Sequence, residues 1–170
     1  SQLTEIRTLQ DIDDEVSNLS GTLEEVQRRL LGSDDVNAAR VAYSAADAEL
    51  SQVRKLQRRI DGEIEGLTAR ITPEETRLYD GSVRNPKELA SIQHEVELLK
   101  AQRSKLEDEL LEVLARLETA EKANSTTQQA LINAEGRWEG ERDRFTKEAA
   151  ALSARLTSAQ AKRMAQQSKI

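Results

Sequence analysis

The chain has 170 residues, of which 33% are charged and 2% aromatic, with two prolines, no cysteine and a net charge of −6. So few aromatic side chains leave little bulk for a thick core, which argues against a globular enzyme and for long helices sharing a narrow apolar seam. The acidic balance disfavours nucleic acid and anionic membrane as partners, and the lack of cysteine excludes both a disulfide framework and thiolate metal sites.

From the N-terminus, Leu3, Ile6, Leu9, Ile12, Val16, Leu19, Leu23, Val26 and Leu30 recur three and four residues apart with acids and amides between them. A heptad seam held over about four repeats predicts a coiled coil rather than a generic amphipathic helix. Leu31-Gly32-Ser33-Asp34-Asp35 interrupts it, with Gly32 suited to the residue after a helix end and Ser33 or Asp34 suited to an N-cap. The pattern resumes as Ala39, Tyr43, Ala46, Leu50, Val53, Leu56, Ile60, Ile64, Leu67 and Ile71. Thr72-Pro73-Glu74-Glu75 then matches a capping box, but a new helix there would have only about two turns before Gly81. A proline kink inside one continuous helix is the expectation.

The regular pattern stops at Tyr79-Asp80-Gly81-Ser82 and restarts at Asn85-Pro86-Lys87-Glu88. Gly81 supplies the positive φ that a reversal requires, Asn85 suits an N-cap and Pro86 suits N1. Glu88, at N3, is placed to reach back to the Asn85 amide. Beyond this point the seam is Leu89, Ile92, Val96, Leu99, Leu106, Leu110, Val113 and Leu117. It recovers after the weak helix Asn124-Ser125-Thr126-Thr127 as Leu131, Trp138, Phe145, Ala149, Leu152, Leu156 and Ala159. The expected fold is therefore all-α, a long antiparallel two-helix coiled-coil hairpin with a first arm over 1–79, a tip over 80–85 and a second arm over 86–170. Kinks are expected near 32–35, 73 and 124–127.

A tip centred near Ser82 makes the numbers of facing residues sum to about 164. It sets Leu67 beside Val96, Val53 beside Leu110, Val26 beside Trp138, Leu19 beside Phe145 and Asp61 near Arg103. The basic group Arg54, Lys55, Arg58 and Arg59 then meets Glu107, Asp108, Glu109 and Glu112, whereas a sum near 158 would oppose it to Lys100, Arg103 and Lys105. Residues 1–35 hold nine acids against three bases, and residues 149–170 hold four bases and no acid. A hairpin brings these ends together, so the basic end reads as a complement to the acidic one.

The stretch RLYDGSVRNPKEL, followed by SIQHEVELLK and LEDELLEV, resembles the central motif of the bacterial coiled-coil zinc-ribbon proteins over about Arg77 to Glu118. The resemblance implies a helical hairpin with this motif at its tip, in a cytoplasmic protein that binds other macromolecules, followed by a four-cysteine zinc ribbon. This chain carries no such ribbon, so zinc is expected only if the intact protein has one. Ser1 and the stop in mid-pattern at Ile170 suggest a piece of a longer chain.

Nothing in the sequence supplies a catalytic or metal site. His94 is the only histidine, the acidic groups lack calcium-loop spacing, and there is no nucleophile motif or phosphate-binding loop. No apolar run approaches the roughly 20 residues of a membrane span. Trp138, between Gly136 and Gly140, reads as a large seam residue in preference to an exposed anchor. Heptad packing has no use for Arg77, Tyr79, Asp80, Arg84 and Lys87, which a stiff shaft would present together. They are the candidate protein-binding residues of a scaffold or adaptor, while Gly81, Asn85, Pro86 and Glu88 serve the turn itself. The alternative is a nucleic-acid-associated protein in which the ribbon makes the contact and the hairpin acts as a spacer. A homodimer packed through the alanine-rich flanks is also open.

Overall fold

A computed structural model describes residues 1–170. The chain is 92% helical and has no strand. Its elements are α1 (Gln2–Arg29), α2 (Asp34–Tyr79) and α3 (Pro86–Gln167). They form two compact units, one of Ser1–Val41 with Gln129–Ile170 and one of Ala42–Gln128.

In the first unit, α1 starts from a Ser1 N-cap whose Oγ accepts from the Thr4 amide at 3.3 Å. It stops at Arg29, and α2 begins at Asp34 after four intervening residues and a bend of 12° near residues 30–33. Ser33 is the cap that allows the restart, its Oγ accepting from the Val36 amide at 3.2 Å. Gly32, suited to the residue after a helix end, does not take the left-handed conformation common at that position. Gly81 is the only residue in the chain at positive φ, and Leu30 ends α1 in an ordinary right-handed conformation at φ −72°. The bend is so shallow that the chain does not need to reverse its twist, so a left-handed residue has no use there.

Against these segments lies the last part of α3. Leu19, Val26, Phe145, Leu152 and Ala159 are buried together, with Val16, Leu23, Leu30, Trp138, Ala149 and Leu156 packed around them. The chain ends do meet as their charges suggest: Arg163 pairs with Asp13, and Gln166, itself 7% exposed, donates to the Glu5 carbonyl at 3.0 Å.

In the second unit, α2 and α3 run antiparallel around two apolar clusters. Val53 and Ile60, at 0% and 1% exposure, form the driest point of the chain with Leu50, Val113 and Ala120. Nearer the turn, Ile71, Ile92, Val96 and Leu99 are buried together. α2 runs unbroken through Pro73, and α3 runs unbroken through 124–127, where the Thr127 hydroxyl bonds back to the Ala123 carbonyl at 2.7 Å.

The register differs from a centre at Ser82. Arg103 donates to Thr68 at 3.2 Å, one heptad nearer the turn than Asp61, and Leu67 shares a groove with Leu106. Asn124 donates to Asp47 at 3.1 Å, Lys100 pairs with Glu75, and Arg116 reaches diagonally to Glu49 at 2.7 Å. A slide of seven residues returns most apolar layers to apolar layers, Arg103 and Asn124 being the polar interruptions, so the apolar seam alone is compatible with both registers. Opposite charges also meet in both, and exposed pairs contribute at most about 1 kcal/mol each. At the turn, half-buried Val83 packs with Leu78 onto the cluster around Ile71, a contact that accompanies the observed register. The basic group still faces acids, since Arg59 lines a groove with Glu109 and Glu112, although its direct partner is Glu63 in its own helix at 3.1 Å.

Candidate functional site

The turn from Tyr79 to Lys87 is closed by short-range hydrogen bonds. The Asp80 amide caps the helix end by donating to Thr76 O at 2.9 Å, and the Asp80 carboxylate turns back to accept from the Ser82 amide at 2.9 Å. Gly81 sits between them at φ +78°, where a side chain would be strained although it would meet nothing within 4 Å. On the other side, Asn85 Oδ1 accepts from the Lys87 amide at 3.0 Å and Asn85 O accepts from the Leu89 amide at 2.9 Å, giving α3 its N-cap. Glu88 does not close a capping box. Its carboxylate is drawn to Arg77 at 3.4 Å, and the same guanidinium holds Glu74 at 3.3 Å, so Arg77 ties the end of α2 to the start of α3.

The hydrogen bonds from Ser82, assisted by the nearby positive charge of Arg77, hold the Asp80 carboxyl below its ordinary value of 3.8. A lowered pKa in the folded state stabilises the turn above the ordinary aspartate range and ceases to do so as the pH falls through the depressed value. The expected result of an acid NMR titration is that the Asp80 carboxyl carbon titrates below 3.8 and that the Ser82 amide loses exchange protection in the same step. An ordinary aspartate titration with no response at Ser82 would show that this bond does not hold the turn.

Five candidate contact residues thus divide into two kinds. Arg77 and Asp80 have internal partners and build the turn. Tyr79, 85% exposed, and the exposed Arg84 and Lys87 have no partner within the chain and point to solvent. Val83 is half-buried and packs against the cluster around Ile71, the one apolar contact from the turn itself to the seam. Its only signal in the sequence is that it is the one apolar residue between Gly81 and Pro86.

The other singled-out residues lie elsewhere. His94 is exposed on α3. Trp138 is half-buried against the first unit's core, beside an open cleft of about 380 Å³ at the α1–α2 bend that Gly32, Asp35 and Phe145 also line. Arg29 and Arg144 lie over the Phe145 ring at 5.7 and 5.0 Å from its centre, which accounts for both cations without a ligand. No helix is long and apolar enough to cross a membrane.

Two antiparallel helical arms, an apolar seam with heptad spacing and a tightly bonded turn define a coiled-coil hairpin. The chain belongs to the CT398-like coiled coil hairpin domain family, whose model matches residues 9–170. Among solved structures it is similar to a protein from Mycobacterium smegmatis, with a TM-score of 0.62 and 19% identity, over all of this chain and 71% of that one. At that identity the likeness speaks for the fold. No curated protein matches the chain.

Proposed function

We propose that the chain is a non-enzymatic coiled-coil scaffold or adaptor that engages a protein partner through the turn between α2 and α3. The observation that carries this reading is the Tyr79 ring, 85% exposed at the last residue of α2 beside a turn held rigid by its own hydrogen bonds. An exposed aromatic beside unpaired Arg84 and Lys87 has the composition of an interface anchor, and the rigid turn limits the entropy lost on docking. Tyr79→Ala combined with Arg84→Ala is expected to leave helicity unchanged and to reduce capture of the native partner at least tenfold, read by pulldown from the source cell. Undiminished capture by the double variant would remove the turn from the interface.

In the same proposal the chain is the helical part of a bacterial coiled-coil zinc-ribbon protein working in the cytoplasm. Support comes from the Arg77–Glu118 motif together with membership of a hairpin family. A gene whose reading frame continues past Ile170 into paired Cys-x-x-Cys motifs is the expected finding, and a frame that ends without them would overturn it.

A further inference from the structure

One flank of the second unit is furrowed rather than flat. Gly66 leaves the α2 rim without a side chain, and a Cβ placed there would meet nothing within 4 Å. The resulting groove, about 570 Å³, has Leu67 and Leu106 in its floor. It is continued by a second hollow of about 350 Å³ that shares Glu109 and reaches Ile60 and Val113. The rim carries both signs of charge: Glu63 and Arg70 on α2, Lys105 and Glu109 on α3. Of these only Glu63 has an ion-pair partner, the neighbouring Arg59.

The arrangement of these residues is self-complementary. Glu63 and Arg70 are equidistant in sequence from a point between Gly66 and Leu67. A second copy laid antiparallel on this face about a two-fold axis at that point sets each Glu63 against Arg70 of the other copy. The facing point on α3 lies between Lys105 and Leu106, which line the same groove. About the same axis, Gln102 meets Glu109 of the other copy and Leu98 meets Val113 of the other copy. Leu98 is 52% exposed and lies one heptad before Lys105, on this flank, with about half of its surface left to water. Val113 borders the hollow at the far end. A knob at one end of the groove and a hollow at the other are what an isologous interface requires. The alternative axis, parallel to the helices, would make two like-charge pairs of Glu63 with Glu109 of the other copy, whereas the perpendicular axis opposes only the two Lys105 side chains, each four residues from Glu109 of its own helix.

We infer that this flank, with Gly66 and Lys105 at its centre, is the interface of an antiparallel homodimer. The matched stretch covers about 15 residues on each helix, roughly 22 Å of length, which places the interface at the small end of specific contacts and the affinity in the micromolar range. The interface uses no residue of the Tyr79 turn, so the inference stands apart from the proposed partner docking.

Sedimentation equilibrium of the whole chain over about 5 to 500 μM tests it, with circular dichroism as the check on folding. The expected result is a monomer–dimer equilibrium. Arg70→Glu is expected to weaken dimerisation at least tenfold with helicity intact, since Arg70 is exposed and has no partner to lose. Adding Glu63→Arg to it restores the pairing with reversed signs and is expected to restore the dimer. Leu98→Lys should weaken the dimer without affecting the fold. A chain that stays monomeric throughout the range overturns the inference. So does a dimer that responds to Tyr79→Ala but not to Arg70→Glu, or one that Arg70→Glu weakens and Glu63→Arg fails to rescue.

Discussion

Ile60→Ala is expected to destabilise the chain by about 3 kcal/mol, measured as the change in unfolding free energy in urea. Ile60 is 1% exposed and lies with Val53, Leu50, Val113 and Ala120, flanked by Leu56, Ile64, Leu110 and Leu117. The substitution removes three carbon groups at about 0.8 kcal/mol each, and the space left behind adds a cavity term. A seam between only two helices lies close to water and relaxes more readily than a thick core, which keeps the total in the lower half of the usual range of about 2 to 5 kcal/mol. Leu111→Ala is the matched control. Leu111 is 67% exposed, and its truncation is expected to change stability by no more than about 0.5 kcal/mol. If the two substitutions had equal effects, burial at Ile60 would not be what holds the arms together.

Pro73→Ala is expected to act in the opposite direction, raising stability by about 2 kcal/mol. Pro73 lies inside α2, where the helix continues for six more residues to Tyr79. A proline there provides no N–H for the Ala69 carbonyl and crowds the preceding turn, at a cost of about 3 kcal/mol. Alanine restores the bond but makes the unfolded chain more flexible, which returns up to about 1 kcal/mol. The ring is exposed, so its loss opens no cavity. Thermal unfolding followed by circular dichroism reads the change, and a fall in melting temperature would show that Pro73 supports the turn region instead of weakening the helix. Any such support would act through the neighbouring hydroxyls, since Thr72 and Thr76 bond back to the Thr68 and Thr72 carbonyls at 3.0 Å.

Much of the architecture is legible in the residues themselves. Heptad spacing from Leu3 to Leu30 and from Leu89 to Leu117 announces helices with one apolar stripe, because a 3.5-residue repeat can bury only a narrow face. Ser33 and Asn85 are readable as caps, since their side chains accept the amide protons that a helix start leaves free. The reversal is readable from Gly81, whose φ of +78° almost any other residue would resist.

Three features are not legible, each because the folded geometry rather than the local residue pattern sets it. Glu88 fits the local capping box, but Arg77, eleven residues earlier, offers it a full charge and captures it. Gly32 has the position of a left-handed helix end, yet the 12° bend requires none. Among the contact residues, the sequence treats Arg77 and Tyr79 alike, and only the folded turn engages the first and leaves the second bare.

By itself, then, the sequence determines that this chain forms two long helical arms joined at a glycine turn, because periodicity, caps and breakers are local properties of the chain. The tertiary structure decides which residues face one another. A seam with a seven-residue repeat is indifferent to a slide of seven, and exposed ion pairs are too weak to choose between the two positions. Only the packed structure shows which position is taken, with Val83 and Leu78 against the cluster around Ile71, and which side chains the turn then presents to solvent.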